Sequence, residues 1–141
     1  MGKKVVLASG RPINGVAPLA EELYLKEYGG FMLSFNGARI TRCSDNAIIY
    51  NKVIPQEVIR PIYEAVKEYP GLDLISYTDK VILSGIKSNE YTEKEAAINS
   101  MDICPVEDFP AALDFPVNKM LIPGEPSILE DLMPKLQKQY H

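Results

Sequence analysis

The sequence predicts an α/β chain: a short parallel βαβ unit followed by an α+β layer whose sheet is mostly antiparallel. Three observations carry that prediction. Continuously apolar runs at residues 4–8 (KVVLA) and 31–35 (FMLSF) flank a helical pattern, which is how two strands of a parallel sheet and their right-handed crossover read. Beyond Asn36-Gly37 the strands become shorter and alternating, with polar turns between them, the habit of antiparallel strands. Helical patterns recur between strands to the end of the chain, and 141 residues suffice for a core without staples.

Each element has its own warrant. The first run, residues 4–8, reads as a fully buried strand. Pro12 then suits a helix N1 position, Ile13, Val16, Ala20 and Leu23 recur at helical spacing, and Gly29-Gly30 stops the helix. Strands near 38–42 and 47–53 form a hairpin about Ser44-Asp45-Asn46, with Asp45 serving the turn's own backbone. A helix from Pro55 to about Tyr69 places Val58, Ile62, Ala65 and Val66 on one face; Pro61 inside it predicts a kink or a restart, and Pro70-Gly71 ends it. Strands at 72–78 and 80–85, a helix from Thr92 to about Asn99, a strand at 118–124 and a helix from Pro126 to Gln139 complete the layer. In the last helix Leu129, Leu132, Met133 and Leu136 face inward.

Composition narrows the function. A formal net charge of −4 leaves no basic footprint, so neither nucleic acid nor an anionic membrane is an expected partner. Cys43 and Cys104 lie far apart and His141 is the one histidine, so no zinc-type ligand spacing exists and the thiols read as reduced. No signal-peptide core and no run of about 18 apolar residues is present, and a cytoplasmic location is the default expectation.

The stretch with chemical content is Ser9-Gly10-Arg11-Pro12, at the carboxyl end of a predicted parallel strand and the start of a helix. Anions bind there in open α/β sheets, because unpaired backbone N–H groups and the helix dipole face the ligand. Ser9 adds a hydroxyl, Gly10 allows close backbone approach and Arg11 offers a positive fork. Spacing alone serves equally a plain reading in which Ser9 and Gly10 cap a helix and Arg11 is a solvated charge.

LASGRP followed by PLAEEL, then FMLSFNGARI, EAAINSMDI and VNKMLIPGE, resembles the stretch of Cof-type phosphatases of the haloacid-dehalogenase (HAD) superfamily that runs from their second motif into their type IIB cap. The resemblance implies a partial Rossmann-like HAD core over residues 1–37 and a cap over 38–141, incomplete at its C-terminal end. It implies that Ser9 is catalytic, hydrogen-bonding the transferring phosphoryl group in a phosphate site with Gly10 and Arg11, and that Asn36 and Gly37 form the hinge into the cap. It further implies a magnesium-dependent phosphatase acting on a small phosphorylated metabolite such as a sugar phosphate. Polar groups on or beside cap strands, Tyr77, Lys80, Asn118 and Lys119, are candidates to face that substrate.

The sequence also departs from the family pattern. The Asp-x-Asp-Gly-Thr run that carries the family's nucleophile, general acid and magnesium ligands does not occur, nor do its lysine and Gly-Asp-x-x-Asn-Asp motifs. Asp73, Asp102, Glu107, Asp108 and Asp114 read as solvated charges rather than substitutes. Phosphate-monoester hydrolysis demands acceleration of up to roughly 10²¹, about 28 kcal/mol, where a helix N-terminus supplies at most about 2. The chain is therefore expected to be an internal part of a longer enzyme, inactive alone and holding no magnesium by itself, with its first strand left as an exposed edge prone to self-association. A non-catalytic α+β binding or interaction module, and a phosphate-binding regulator using Ser9-Gly10-Arg11 as an anion nest, are the competing readings.

Overall fold

The computed structural model describes residues 2–140, so that His141 lies outside the described residues. The chain divides into two compact units, Met1–Val53 and Ile54–His141. Each has its own four-stranded sheet.

In the first unit β1 (Val6–Ala8) runs parallel to β2 (Phe31–Ser34), with Val6 opposite Phe31 and Ala8 opposite Leu33. The predicted βαβ unit is present. Its crossover is broken, however, into α1 (Ile13–Glu22) and α2 (Leu25–Tyr28), because Tyr24 between them is left-handed at φ 53°. Leu23, expected to face inward, is thereby turned out, and Pro12 caps α1 instead of opening it. Gly29, left-handed at φ 73°, ends α2 as its lack of a β-carbon allows.

The hairpin of β3 (Arg39–Arg42) and β4 (Ala47–Asn51) forms where expected. It does not open a new layer: β3 pairs antiparallel with β2, giving the order β1-β2-β3-β4. The first compact unit runs to Val53, since hydrogen bonds between strands hold the hairpin to it. Val16, Ala20, Leu25, Met32 and Cys43 make its core on the α1 side of the sheet. Burial also pushes the Cys43 thiol up from its ordinary pKa, which disfavours the reactive thiolate.

β1 is the edge strand, paired on one side only among the described residues. Val5 and Val6 are each 50% exposed. The expected fully buried strand is thus half open, because the sheet stops there.

In the second unit α3 (Gln56–Lys67) leads to β5 (Ile75–Tyr77) and β6 (Val81–Ser84), an antiparallel pair. Then come α4 (Glu90–Asn99), β7 (Asp102–Pro105), α5 (Phe109–Ala112), β8 (Met120–Leu121) and α6 (Pro126–Gln139). The sheet order is β7-β6-β5-β8, antiparallel except for the β6/β7 pair. No strand or helix is predicted from the sequence over the stretch that forms β7 and α5. β7 is an exposed edge with one half-buried apolar residue, Ile103, so it carries no alternation to read. α5 is set by Asp108, whose side chain accepts from Ala111 N at 3.3 Å.

The core of this unit gathers Ile59, Tyr63, Val66, Leu72, Leu74, Phe109, Leu113 and Leu132. α3 buries Ile59, Tyr63 and Val66, a face turned from the expected one, because Tyr63 stacks on Phe109 at 6.0 Å between ring centroids. Pro61 neither splits nor restarts the helix. In α6, Leu132 is buried while Met133 is out in solvent.

Asp73 overturns its reading as a solvated charge. It is fully buried, and its carboxylate accepts from Leu74 N at 2.8 Å, Ile86 N at 3.0 Å, Ser84 Oγ at 2.7 Å and Thr92 Oγ1 at 3.0 Å. Thr92 belongs to the capping box of α4, in which Asn89 Oδ1 accepts from Tyr91 N and Thr92 N. The helix therefore begins at Glu90, two residues before the expected start, because Asn89 caps it.

Two predictions follow from these contacts. Asp73→Ala strips four donors of their acceptor and is expected to cost about 3 kcal/mol or more; Asp73→Asn, which keeps the shape and lets the hydroxyls reorient, costs less. Urea unfolding midpoints of the two variants check the order. In the hairpin turn Arg42 donates to Asp45 Oδ1 at 2.9 Å and Ala47 N to the same oxygen at 3.2 Å. The Arg42 hydrogen bond above all lowers the Asp45 carboxyl from 3.8 to about 2. A depressed folded pKa means that the turn's contribution is complete above the unfolded value and is lost as the pH falls through about 2. A carboxyl NMR titration is expected to give a midpoint near 2 for Asp45, rising toward 3.8 in Arg42→Ala.

Candidate functional site: the carboxyl ends of β1 and β2

The parallel pair ends in two loops that are tied to each other. Ser9 N donates to Leu33 O at 2.9 Å, continuing the β1/β2 ladder by one residue. The chain then closes a ring of contacts: Phe35 N donates to Arg11 O at 2.9 Å, and Asn36 N to Ser9 O at 3.1 Å. Ser9 and Gly10 are half-buried and Arg11 is exposed. The four residues Ser9, Gly10, Asn36 and Gly37, chosen from the sequence for two separate roles, are brought to one place.

Within the first loop Arg11 N donates to Ser9 Oγ at 3.1 Å. The hydroxyl serves as acceptor in that bond, so its proton is available to donate elsewhere. α1 starts two residues on, and its N-cap, Pro12, supplies no side-chain hydrogen bond. A hydroxyl, a helix N-terminus and an exposed guanidinium share this edge of the sheet. That donor set suits an anion with several acceptor oxygens.

The second loop is built from left-handed residues in succession: Phe35 at φ 52°, Asn36 at 58° and Gly37 at 85°. Asparagine and glycine take this conformation readily, whereas a bulky aromatic does so only under constraint. Phe35 is held by its N–H bond to Arg11 O, by Ala38 N donating to its own carbonyl at 3.1 Å, and by the Arg39 guanidinium 5.3 Å above its ring. The 3₁₀ turn Phe35–Gly37 is where β2 gives way to the hairpin.

The candidates on the second unit have different surroundings. Tyr77 is buried, and its hydroxyl donates to Glu95 Oε1 at 2.8 Å. Burial, and then the Glu95 carboxylate, push its pKa upward. Asn99 Nδ2 donates to the same Glu95 oxygen at 3.0 Å. Lys119 places its ammonium 5.9 Å from the Tyr77 ring centroid, and its carbonyl accepts from Ser76 Oγ at 2.9 Å. Asn118 is half-buried just ahead of β8, and Lys80 lies in the exposed turn between β5 and β6. The fold joins Tyr77 and Lys119; it gives Tyr77 a buried hydroxyl where the sequence suggested an open polar group. The Glu95–Asn99 pair beneath it was not foreseen, though Glu95 and Asn99 stand four apart on one helix.

A magnesium ion is a poor fit to these residues. It wants near-octahedral oxygen ligands with carboxylates among them, whereas the loop of Ser9–Arg11 offers hydroxyl, amide and guanidinium donors. Among the described residues no group of three or more His, Cys, Asp or Glu could hold a metal.

Comparison with known proteins places this arrangement among relatives. The profile of the haloacid dehalogenase-like hydrolases matches residues 1–141. A haloacid dehalogenase-like hydrolase from Bacteroides thetaiotaomicron is 37% identical, with a TM-score of 0.88 over 96% of this chain and 50% of that one. The subclass IIB sugar phosphatase BT4131 shares the fold at a TM-score of 0.68 and 22% identity, over 94% of this chain and 50% of its own. YxeH of Bacillus subtilis strain 168 is 32% identical over 63 residues, 45% of this chain and 23% of that protein. The chain thus spans half the length of these solved structures and less of YxeH.

Proposed function

The chain belongs to the haloacid dehalogenase-like hydrolases, and from that membership we propose that it forms the phosphate-contacting strand end and most of the cap of a Cof-type phosphatase. The observation that carries the reading is Ser9 at the carboxyl end of β1, on one loop with Gly10 and Arg11, at the position where the resemblance puts a phosphoryl-binding hydroxyl. In this reading Ser9 Oγ donates to a phosphoryl oxygen, and Arg11 adds charge. Donors fixed in place in this way stabilise developing negative charge without reorganising.

What the chain does not offer is a nucleophile with a metal beside it. The carboxylates that would attack phosphorus and hold magnesium belong, in this reading, to polypeptide outside these 141 residues, consistent with relatives twice as long. The substrate class is a small phosphorylated metabolite; the likeness to a sugar phosphatase favours a sugar phosphate. Tyr77, Lys80, Asn118 and Lys119 stay as the cap groups proposed to meet it, with Lys119 and Lys80 the cations suited to an anionic substrate. Asn36 and Gly37 are proposed as the hinge of that cap. No helix among the described residues is long and apolar enough to cross a membrane.

Hydrolysis of p-nitrophenyl phosphate with magnesium tests the proposal. Activity is expected in a version extended at both ends from its reading frame and not in the 141-residue chain. Ser9→Ala in the extended version is expected to lower kcat/KM about a hundredfold. Turnover by the short chain would show that the nucleophile lies within it, and an unchanged Ser9→Ala would remove Ser9 from the site.

The open edge of β1 is proposed as the place where the core sheet continues. Left unpaired, it invites the same edge of another copy, with Val5 and Val6 half exposed beside it. Sedimentation velocity on the 141-residue chain is expected to show concentration-dependent association that Val6→Lys suppresses; a monomer at all concentrations would refute it.

A further inference from the structure

Gly10 raises a question that its backbone does not answer. It is not among the glycines with positive φ, so conformation alone does not require glycine there. Space does. A β-carbon at Gly10 would stand 2.6 Å from Asn36 Oδ1, 3.4 Å from its Cγ and 3.7 Å from its Nδ2. The carboxamide of Asn36 therefore lies against the bare Cα of Gly10, in the room that a side chain would take.

Asn36 reaches the same loop by its main chain, through the 3.1 Å bond from its N–H to Ser9 O. Both holds depend on its left-handed backbone at φ 58°, which asparagine adopts far more readily than most residues. A hinge needs only that backbone. The carboxamide packed on Gly10 is an additional feature, and it touches the residue between Ser9 and Arg11.

We propose that Asn36 is a positioning residue for the phosphoryl site: its carboxamide braces Gly10 so that the Ser9 hydroxyl stays aimed at a phosphate-sized anion. The inference rests on the reading of Ser9–Arg11 as that site. It assigns Asn36 a part in anion binding beyond its place in the hinge, and it explains why residue 10 is glycine.

The test is titration of the full 141-residue chain with inorganic phosphate, following the amide NMR signals of Ser9, Gly10 and Arg11. The wild-type chain is expected to show saturable shifts at these three residues. Asn36→Gly keeps the left-handed conformation and removes the carboxamide, and is expected to weaken phosphate binding about fivefold with β1 and β2 signals unchanged. Asn36→Asp keeps the shape and adds negative charge, and is expected to bind more weakly still, with a loss that shrinks as salt rises. Gly10→Ala should weaken binding when Asn36 is present and add nothing in the Asn36→Gly background, the non-additivity expected of two groups in contact. Wild-type shifts together with unchanged affinity in Asn36→Gly and Asn36→Asp would overturn the role of the carboxamide and leave the phosphate site standing. No shift at Ser9, Gly10 or Arg11 in the wild-type chain would overturn the site itself, and this inference with it.

Discussion

The backbone tie between the carboxyl ends of β1 and β2 is the constraint on which the candidate site depends. Three main-chain hydrogen bonds, from Ser9 to Leu33, Phe35 to Arg11 and Asn36 to Ser9, bring two loops separated by a helical crossover into one ring. A parallel pair is only as ordered as its ends, because its slanted hydrogen bonds cannot be closed off by a tight turn. Here the closure is made by left-handed residues after β2, with an aromatic among them. Held at φ 52°, Phe35 carries strain that its contacts with Arg11, Ala38 and Arg39 must offset. Strain of this kind collects where backbone direction matters more than local comfort.

The second unit is organised by a different device. Asp73 lies on the segment leading into β5, Ser84 at the end of β6 and Thr92 in the first turn of α4. One fully buried carboxylate joins all three. A buried charge is costly unless every lone pair finds a donor, and the four donors around Asp73 meet that condition. The same requirement fixes the capping box of α4, since Thr92 serves both Asp73 and Asn89. Packing of Tyr63 on Phe109 then sets which face of α3 turns inward.

In the proposed site a hydroxyl, a guanidinium and a helix N-terminus would hold an anion, but they do not attack phosphorus. The rate enhancement of phosphate-monoester hydrolysis exceeds by an order of magnitude, in kcal/mol, what a helix terminus contributes. The division of labour in the proposed phosphatase follows from that gap: this chain orients and stabilises, and the nucleophile comes from elsewhere. The open edge of β1 and the anion loop at its end belong to the same strand, so the strand that would complete the sheet would also stand beside the phosphate.

Much of this was legible in the amino-acid order. Unbroken apolar runs about a helical pattern determined the parallel pair, and Gly29-Gly30 the end of its crossover; these are local signals of spacing and conformational preference. Pro126 to Gln139 is a helix with the bounds its periodicity predicted. Tertiary structure alone decided the rest. Asp73 looks like any acidic residue in a strand until the fold surrounds it with four donors, and the hairpin's allegiance to the first sheet depends on β3 finding β2. In α3 the expected Val66 and Ile62 do meet the core, and Ile59 and Tyr63 join them, Tyr63 against the ring of Phe109, forty-six residues beyond it in sequence. Gly10 and Asn36 stand far apart in the chain, and no periodicity links them; only the closing of the two loops sets the carboxamide of one against the bare Cα of the other. Signals carried by neighbours in sequence survive without the fold, and those carried by neighbours in space do not.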